Sequence, residues 1–250
     1  MRWQHIYFGI TDGVARVTLA RPEKRNVLSR ALLAEIGEAL GEVERTSAHL
    51  LILDAEGKAF SSGGDLADPM THAGELGTLV DDHYHPLLRR LAGLPCPTVC
   101  MVDGLVVGGA CGLVLAFDMV VATEKARFAF PFTRIGLIPD CGLNWLLSRT
   151  VGPIQARRLL LFGETIDGEE AVRIGMVSRL VESGAVASLL SSLIENATTL
   201  DPLAVAGTKR AAALAETQTF EQSLATEREL QHQAGRSARF AATLASLSNR

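Results

Sequence analysis

Two hydrophobic patterns alternate along this chain: short apolar runs, and apolar positions at helical spacing. HIYFGI and VARVTLA alternate apolar and polar residues on either side of Thr11 to Gly13, which predicts a β-hairpin. Three other runs are short and almost wholly apolar, as in strands of a sheet covered on both faces: LLILDA, PTVCMVDG and MVVATE. Helix-spaced stretches separate them, so the pattern predicts an α/β fold.

The predicted helices fall into two groups. In the first helix, for which Ser29 is the predicted N-cap, apolar residues recur at helical spacing. GKAFSSGGDLAD is a glycine-rich loop that we expect to enter one long helix ending near Arg90. The pattern predicts three helices at the end of the chain. We therefore predict a core over residues 1–195 and a C-terminal helical region over residues 196–250 that packs elsewhere.

Composition excludes several classes of function. A net charge of −4 gives no general attraction to nucleic acid or anionic lipid, so RNA binding is disfavoured. No apolar run approaches the roughly 20 residues of a membrane span, and the N-terminus lacks signal-peptide features. The four cysteines have no metal-ligand spacing, which fits reduced thiols in a cytoplasmic protein. His83 and His85 are two apart and do not face each other on a helix, so no metal site is predicted.

Two glycine-rich loops each lie between a strand and a helix: SSGGD (61–65) and VVGGACG (106–112). Neither has the GxGxxG spacing of a dinucleotide site or the GK[ST] of a phosphate-binding loop. Backbone N–H groups at a helix N-terminus favour an anion, and two that face one point would form an oxyanion hole. Tight packing of a strand on a helix also requires glycine and remains an alternative for either loop.

A single carboxylate, Asp140, lies within the apolar stretch RFAFPFTRIGLIPDCGLNW. We expect the surrounding apolar side chains to exclude water from it, which raises the pKa of a carboxyl and makes it a better base. The alternative is a structural role as N-cap, since Asp140 directly precedes a helical stretch.

Five segments, in this order, resemble the enoyl-CoA hydratase/isomerase (crotonase) superfamily: RPEKRNVLS, GKAFSSGGDL, VDGLVVGGACGLVLAFDMVVATEKARF, RIGLIPDCG and ETIDGEEAVRIGMV. The resemblance covers nearly the whole chain. It implies an α/β spiral of strand-strand-helix turns with a C-terminal helical region that assembles subunits or covers the active site. The same resemblance implies assembly as a homotrimer or as a hexamer of two trimers. It also implies an acyl-CoA thioester substrate, with coenzyme A as part of that substrate and no permanently bound cofactor.

The resemblance also assigns roles to residues. The backbone N–H groups of Gly64 and Gly109 would be the oxyanion donors, and Asp140 the acid-base group. Lys24 and Arg25 lie in the loop that approaches the CoA phosphates in the family. Other positions correspond to the substrate-binding site: Phe60, Ser62, Asp65, Leu66 and Phe132. Asp65 is expected to cap the helix that follows it, and Phe132 to shape the acyl pocket.

The reaction class depends on which acids are present. The two glutamates of the family's hydratases correspond here to Gly112 and Phe132, and neither can transfer a proton. This departure favours isomerisation, of a double bond or of a ring epoxide, with Asp140 as the lone acid-base group. The segments GLIPDCG and AGRS are most similar to those of the ring-epoxide isomerases that act in phenylacetyl-CoA breakdown. Leu143 departs from the pattern of those enzymes. A hydratase with an unconventional acid-base set, a hydrolase and a non-catalytic acyl-CoA-binding subunit remain alternatives.

The phosphate contacts are less well defined by this resemblance. Family members often end in a basic tail, whereas this chain ends LASLSNR with Arg250 as its only basic residue. Lys209 and Arg210 are possible substitutes. Asp118 and Glu164 correspond to positions that the family keeps for structure, so we expect both to be hydrogen-bonded rather than catalytic.

Overall fold

The computed structural model describes residues 3–248, in which strands and helices alternate. The strands of these residues, in chain order, are β1 (Ile6–Thr11), β2 (Val14–Leu19), β3 (Leu50–Ala55), β4 (Ala59–Ser61), β5 (Thr98–Val102), β6 (Leu105–Val107), β7 (Met119–Thr123), β8 (Arg127–Ala129), β9 (Thr165–Asp167) and β10 (Arg179–Val181). The α-helices are α1 (Arg30–Thr46), α2 (Pro69–His72), α3 (Leu76–Leu79), α4 (His85–Gly93), α5 (Gly109–Leu115), α6 (Leu143–Phe162), α7 (Gly168–Arg173), α8 (Val186–Thr199), α9 (Pro202–Ala215), α10 (Phe220–Ala234) and α11 (Ala238–Ser248).

The strands form two sheets that the chain visits in turn. The six-stranded sheet has the order β1-β2-β3-β5-β7-β10, and the four-stranded sheet has the order β4-β6-β8-β9. Three successive turns of the chain place one strand in each sheet and then a helix: β3 and β4, β5 and β6, β7 and β8. All pairs are parallel except the β1–β2 hairpin and the β8–β9 pair. This repeat is the predicted spiral of strand-strand-helix turns.

The apolar runs are explained by burial on both faces of the large sheet. Side chains alternate between faces along a strand, so Leu51 and Leu53 of β3 point into the main core. Leu50 and Ile52 point to the opposite face, where α8 covers them and Ala197 is buried. A strand covered on both sides has no polar face, which confirms the interpretation of LLILDA, PTVCMVDG and MVVATE.

Several predicted elements are confirmed and one is wrong. The hairpin, the Ser29 cap of α1 (which accepts from the Leu32 N–H) and the three C-terminal helices occur as expected. The predicted single helix up to Arg90 is instead four pieces: α2, α3, a π-helical turn at Val80–Tyr84, and α4. Pro69, Gly74 and Pro86 lie at or near the breaks, because proline and glycine interrupt helices.

The boundary between residues 195 and 196 lies within α8 rather than between elements. Helix α8 also covers the large sheet, so the predicted boundary divides a helix that packs on the core. The division into a core and a helical region stays a prediction.

Candidate active site

The site forms where three parallel strands of the small sheet end. β4, β6 and β8 are neighbours in parallel register, so their carboxyl ends lie at the same edge. Ser62 to Gly64 follow β4, Gly108 and Gly109 follow β6, and Phe130 to Phe132 follow β8. The first two loops are in close contact: a methyl group added to Gly63 would overlap the carbonyl of Val107. The topology thus brings together segments that are far apart in the sequence.

Two backbone N–H groups at this edge are free to bind an anion. Within residues 3–248 neither the Gly64 N–H nor the Gly109 N–H has a hydrogen-bond partner. Gly109 is the first residue of α5, where N–H groups have no intrahelical acceptor and the helix dipole is positive. An N–H group without a protein acceptor is what each of the two predicted oxyanion donors requires.

The Asp140 carboxylate lies against the second of these glycines. Its Oδ1 is 2.7 Å from the place that a methyl group on Gly109 would occupy. This oxygen is buried and has no hydrogen-bond partner among the described residues. Burial raises the pKa of Asp140 to about 6, while its own backbone N–H and the nearby His85 partly oppose the rise. A carboxylate with this pKa is ionised at neutral pH and is a stronger base than an exposed aspartate.

The alternative role of Asp140 as a helix cap is wrong. The N-cap of α6 is Gly142, in a left-handed conformation, and no side chain caps this helix. Asp140 contributes only its backbone carbonyl, which accepts from the Leu143 N–H at 2.9 Å. The side chain is therefore left for another role.

The chain turns sharply after the carboxylate. Cys141 has φ +53°, a left-handed conformation that is uncommon for a residue other than glycine. The turn presses the Cys141 carbonyl against α5 at Gly112, where an added methyl group would overlap it. Gly112 thus permits the approach that holds Asp140 over Gly109, and a glutamate cannot occupy position 112 without moving this segment.

Asn26, which sequence reasoning did not single out, fixes the first glycine loop. It is fully buried with φ +49°. Its side chain accepts from the Arg21 N–H at 2.8 Å and donates to the carbonyls of Glu56 and Ala59 at 2.9 and 3.1 Å. The carbonyl of Asn26 accepts from the Ser61 hydroxyl at 2.7 Å. A single asparagine in a polar loop carries no signal of this role, because its other three partners lie 30 or more positions away in the sequence.

Tyr84 is a second residue that the sequence did not reveal. Its hydroxyl donates to the Leu28 carbonyl at 3.0 Å, and the Leu28 N–H donates to the Gly63 carbonyl at 2.8 Å. Tyr84 Oη also lies 3.3 Å from the position that a methyl group would occupy if Gly64 were alanine. Burial raises the pKa of the Tyr84 hydroxyl above its usual range, so the hydroxyl remains a neutral donor. The sequence signal is a tyrosine in the apolar stripe with Leu87 and Leu91, because a buried hydroxyl needs an acceptor.

The predicted substrate-binding residues occupy different environments. Phe132 is buried beside the second glycine loop. Its ring lies 3.6 Å from the position that a methyl group would occupy if Gly108 were alanine. Phe60 is fully buried in the core, whereas Leu66 is 55% exposed. Lys24 and Arg25 are exposed, and the Arg25 carbonyl accepts from the Ser62 N–H at 2.9 Å. The basic loop and the first glycine loop are therefore joined directly.

The expected cap of the helix after this loop is corrected. Asp68, not Asp65, is the N-cap of α2, and its side chain accepts from the Met70 N–H at 2.9 Å. Asp65 instead closes a local turn by accepting from the Ala67 N–H at 3.1 Å. Pro69 at the first helical position was the available sequence signal, because proline favours that position.

The remaining polar candidates have structural partners. Asp118 accepts from the Thr98 N–H and hydroxyl, both at 2.8 Å, and from Lys209 Nζ at 2.6 Å. Glu164 pairs with Arg158 at 3.2 Å. Asp118 is therefore hydrogen-bonded, as predicted, whereas Glu164 is held by an ion pair.

The basic candidates for CoA phosphate contacts differ from one another. Lys209, which is engaged by Asp118 and by the Cys96 carbonyl, is not available to hold a phosphate. Arg210 is exposed and lines an open groove of about 450 Å³ between α9 and α10. Arg250 lies outside the described residues.

Residues 3–248 contain no cluster of three or more histidine, cysteine, aspartate or glutamate side chains suited to a metal ion. In the same residues, no helix is long and apolar enough to cross a membrane.

Comparison with known proteins identifies the family. Residues 9–247 match the family model described as enoyl-CoA hydratase/isomerase. The chain belongs to the enoyl-CoA hydratase/isomerase family. It is 38% identical to 1,2-epoxyphenylacetyl-CoA isomerase of Escherichia coli (strain K12), over 92% of this chain and 89% of that protein. It is 40% identical to a probable enoyl-CoA hydratase of Rhodobacter capsulatus, over 71% of this chain and 68% of the relative.

The solved structures agree with this assignment. A putative enoyl-CoA hydratase from Streptomyces coelicolor A3(2) superposes with a TM-score of 0.91 at 32% identity, covering 99% of this chain and 92% of that one. The predicted crotonase-like fold is thus confirmed. Relatives named as isomerases and as hydratases both occur, so the family name alone does not give the reaction of this enoyl-CoA hydratase/isomerase.

Proposed function

We propose that this protein is an acyl-CoA isomerase in which Asp140 is the single acid-base group and Gly64 and Gly109 bind the thioester oxygen. One observation carries the proposal: a buried carboxylate oxygen without a partner lies beside a free backbone N–H. A buried polar atom without a partner is costly. The unpaired oxygen of Asp140 is explained if its partner is a C–H group of the substrate.

The chemistry follows from this geometry. The Asp140 carboxylate takes a proton from the carbon next to the thioester carbonyl of a 3-enoyl-CoA. The electron pair of the C–H bond delocalises onto the thioester oxygen, which the N–H groups of Gly64 and Gly109 stabilise as an enolate. The protonated Asp140 then returns the proton at the far end of the former double bond, and the conjugated 2-enoyl-CoA forms. No atom is gained or lost.

The site argues against the hydratase alternative. Adding water requires one group that activates water and a second that delivers a proton to carbon. Gly112 and Phe132 supply neither, and the Cys141 carbonyl fills the space in which a longer side chain at 112 would begin. Phe132 is buried beside the glycine loop, which favours an apolar acyl group.

A ring epoxide is the first substrate to test after a linear 3-enoyl-CoA. The relative that matches 92% of this chain is named 1,2-epoxyphenylacetyl-CoA isomerase. A ring-epoxide substrate would use the same oxyanion donors, with Asp140 assisting opening of the ring. The bulky Leu143 is fully buried immediately after the carboxylate segment; we propose that it affects the pocket wall and hence this choice.

The decisive experiment compares the wild-type protein with Asp140→Asn on a 3-enoyl-CoA and on a 2-enoyl-CoA. We expect the 3-enoyl substrate to convert without a change of mass, and the rate to fall at least about 10³-fold in the variant, because the base is lost. Ultraviolet absorbance of the conjugated thioester and mass spectrometry read the products. A mass gain of one water from the 2-enoyl substrate would contradict the proposal and favour a hydratase. Binding without turnover of either compound or of the ring epoxide would favour an acyl-CoA-binding subunit.

We also propose that the protein assembles as a homotrimer or as a hexamer of two trimers. The C-terminal helices leave large apolar side chains exposed: Leu203, Phe220, Leu224, Phe240, Leu244 and Leu247. Helices α9 to α11 have no buried residue within the described chain, as expected for a surface that a second subunit covers. Light scattering after gel filtration tests this, and a monomer would contradict it.

A further inference from the structure

The two predicted oxyanion donors are held in different ways. The Gly109 N–H shares a peptide group with the Gly108 carbonyl, which accepts from the Cys111 N–H at 2.9 Å in the first turn of α5. Helix α5 therefore fixes the direction of the Gly109 N–H. Gly64 lies in a loop, since the next helix begins only at Pro69. A contact from another segment has to fix the direction of its N–H.

Leu28 supplies that contact. The Gly64 N–H and the Gly63 carbonyl belong to one trans peptide group, so they point in opposite directions. The Leu28 N–H donates to the Gly63 carbonyl at 2.8 Å, which directs the Gly64 N–H away from Leu28. Gly63 has φ +84° and no side chain that would restrict rotation of this peptide group. The orientation of the group therefore depends on the hydrogen bond from Leu28.

Tyr84 holds Leu28 through the opposite end of its backbone. The buried Tyr84 hydroxyl donates to the Leu28 carbonyl at 3.0 Å. Tyr84 Oη also lies 3.3 Å from the position that a methyl group would occupy if Gly64 were alanine, so the hydroxyl lies beside the Cα of Gly64. Tyr84 ends the π-helical turn Val80–Tyr84, and such turns often occur at functional sites. One phenol thus contacts both Leu28 and the residue whose N–H is to be directed.

We propose that Tyr84 is a positioning residue that acts through Leu28 and keeps the Gly64 N–H directed at the thioester oxygen. This inference rests on the proposed function of Gly64 as an oxyanion donor. The Tyr84 hydroxyl takes no part in proton transfer. Without it, the Leu28 backbone and the peptide group between Gly63 and Gly64 are held less firmly. The hydrogen bond to the enolate oxygen, which is stronger in the transition state than in the ground state, then weakens.

The first test compares the wild-type protein with Tyr84→Phe, which removes the hydroxyl and keeps the buried ring. Loss of a whole oxyanion donor lowers the rate about 10²–10³-fold, so a misdirected donor should lower kcat roughly 10-fold. An interaction made mainly in the transition state affects kcat and kcat/KM together, so KM for a 3-enoyl-CoA should change less than about 2-fold. Rates are expressed per folded molecule, with the folded fraction taken from urea unfolding, which separates this effect from a loss of stability.

A second measurement reads the donors without turnover. Hexanoyl-CoA labelled with ¹³C at the thioester carbonyl has no double bond to isomerise, and its C=O stretching frequency falls when hydrogen bonds polarise the carbonyl. We expect infrared difference spectra to show this fall in the wild-type complex and a smaller fall in Tyr84→Phe. Tyr7→Phe is the matched control. Tyr7 is 61% exposed on β1, so loss of its hydroxyl should change neither the frequency nor kcat.

Each outcome separates this inference from the proposed function. Equal carbonyl frequencies and equal rates per folded molecule in Tyr84→Phe and the wild type would overturn the inference, whatever the change in stability. A carbonyl that is not shifted in the wild-type complex would overturn it together with the assignment of Gly64 and Gly109 as donors. If the shift is present in the wild type and reduced in Tyr84→Phe while the wild type lacks isomerase activity, the proposed function fails and the role of Tyr84 stands.

Discussion

Two aspartates in this molecule show how differently one side chain can be used. Asp118, the residue before β7, is 38% exposed and yet accepts hydrogen bonds from Thr98 and Lys209. Asp140 is less exposed, and its buried Oδ1 has no partner among residues 3–248. Burial without compensation is the costlier arrangement. The hydrogen bonds around Asp118 stabilise the fold, whereas the region around Asp140 keeps a carboxylate oxygen whose burial is not compensated.

The difference extends to the backbone. The Thr98 hydroxyl donates to the Asp118 carboxylate and in turn accepts from the Asp118 N–H at 2.9 Å. Both the side chain and the main chain of Asp118 are therefore held by Thr98. Cys141, next to Asp140, is instead held in a left-handed conformation. Backbone strain of this kind costs of order 1 kcal/mol or more and persists where the surroundings enforce it. Three substitutions test whether the two regions are as distinct as this comparison implies.

Apart from replacement of the carboxylate itself, the largest effect is expected from Gly112→Ala, which displaces the Asp140 region and leaves the carboxylate in place. The added methyl group would overlap the Cys141 carbonyl and lie 2.9 Å from Cys141 Cβ, so the segment must move. A displacement near 1 Å at a catalytic group can lower the rate about 10²-fold. We expect a loss of kcat/KM of roughly that size.

Gly207→Ala is the control for this substitution. Gly207 is also helical, in α9, and an added methyl group there meets no atom within 4 Å. Alanine is the better helix former, so activity should be unchanged and stability equal or slightly higher. Wild-type kcat/KM in Gly112→Ala would show that the close contact does not position Asp140.

An intermediate effect, on stability alone, is expected from Asp118→Ala. The buried Thr98 N–H and the Lys209 ammonium would lose their acceptor, which costs roughly 2 kcal/mol. Urea unfolding should show this decrease in the free energy of unfolding, while kcat/KM per folded molecule stays near the wild-type value. A loss of activity in the folded fraction would mean that Asp118 is coupled to the reaction.

Much of the fold could be predicted from the sequence, because its strongest signals are local. The apolar runs of β3, β5 and β7 and the helical spacing of α1 each lie within one segment. The four strands of the small sheet have three residues each, too few to show periodicity. Their pairing depends on contacts between distant segments. The sheet that aligns the glycine loops was therefore the part that the sequence did not predict.

The candidate site divides in the same way. Asp140 and the glycine loops are recognisable, since a lone acid among apolar residues and paired glycines are unusual locally. Asn26 and Tyr84 act through side-chain hydrogen bonds to residues 30 or more positions away. No local pattern marks Asn26, and the apolar stripe that contains Tyr84 indicates burial but does not identify the acceptor of its hydroxyl. Asp68 rather than Asp65 caps α2 because Pro69 fixes where that helix begins.

The smallest effect is a gain of stability in Asp140→Asn, the variant that is expected to be inactive. Because the pKa of Asp140 is about 6 in the folded protein and about 3.9 in an unfolded chain, folding favours the protonated form. The stabilising effect of this proton is complete below the unfolded pKa and is lost as the pH rises through 6. Asparagine is neutral at every pH, so it should stabilise the protein at pH 8 by roughly 1–2 kcal/mol, the side chain being partly solvated.

Thermal unfolding of both proteins at pH 8 and at pH 4.5 measures this gain. It should shrink at the lower pH, where the wild-type carboxyl is already protonated in the folded state. Asp118→Asn, by contrast, should lower stability at pH 8, because an amide replaces a carboxylate that accepts from Lys209. Opposite signs for the same substitution at the two positions would establish that one aspartate serves folding and the other opposes it. Equal signs would mean that Asp140 has partners in solution, and the case for a reactive, uncompensated carboxylate would be lost.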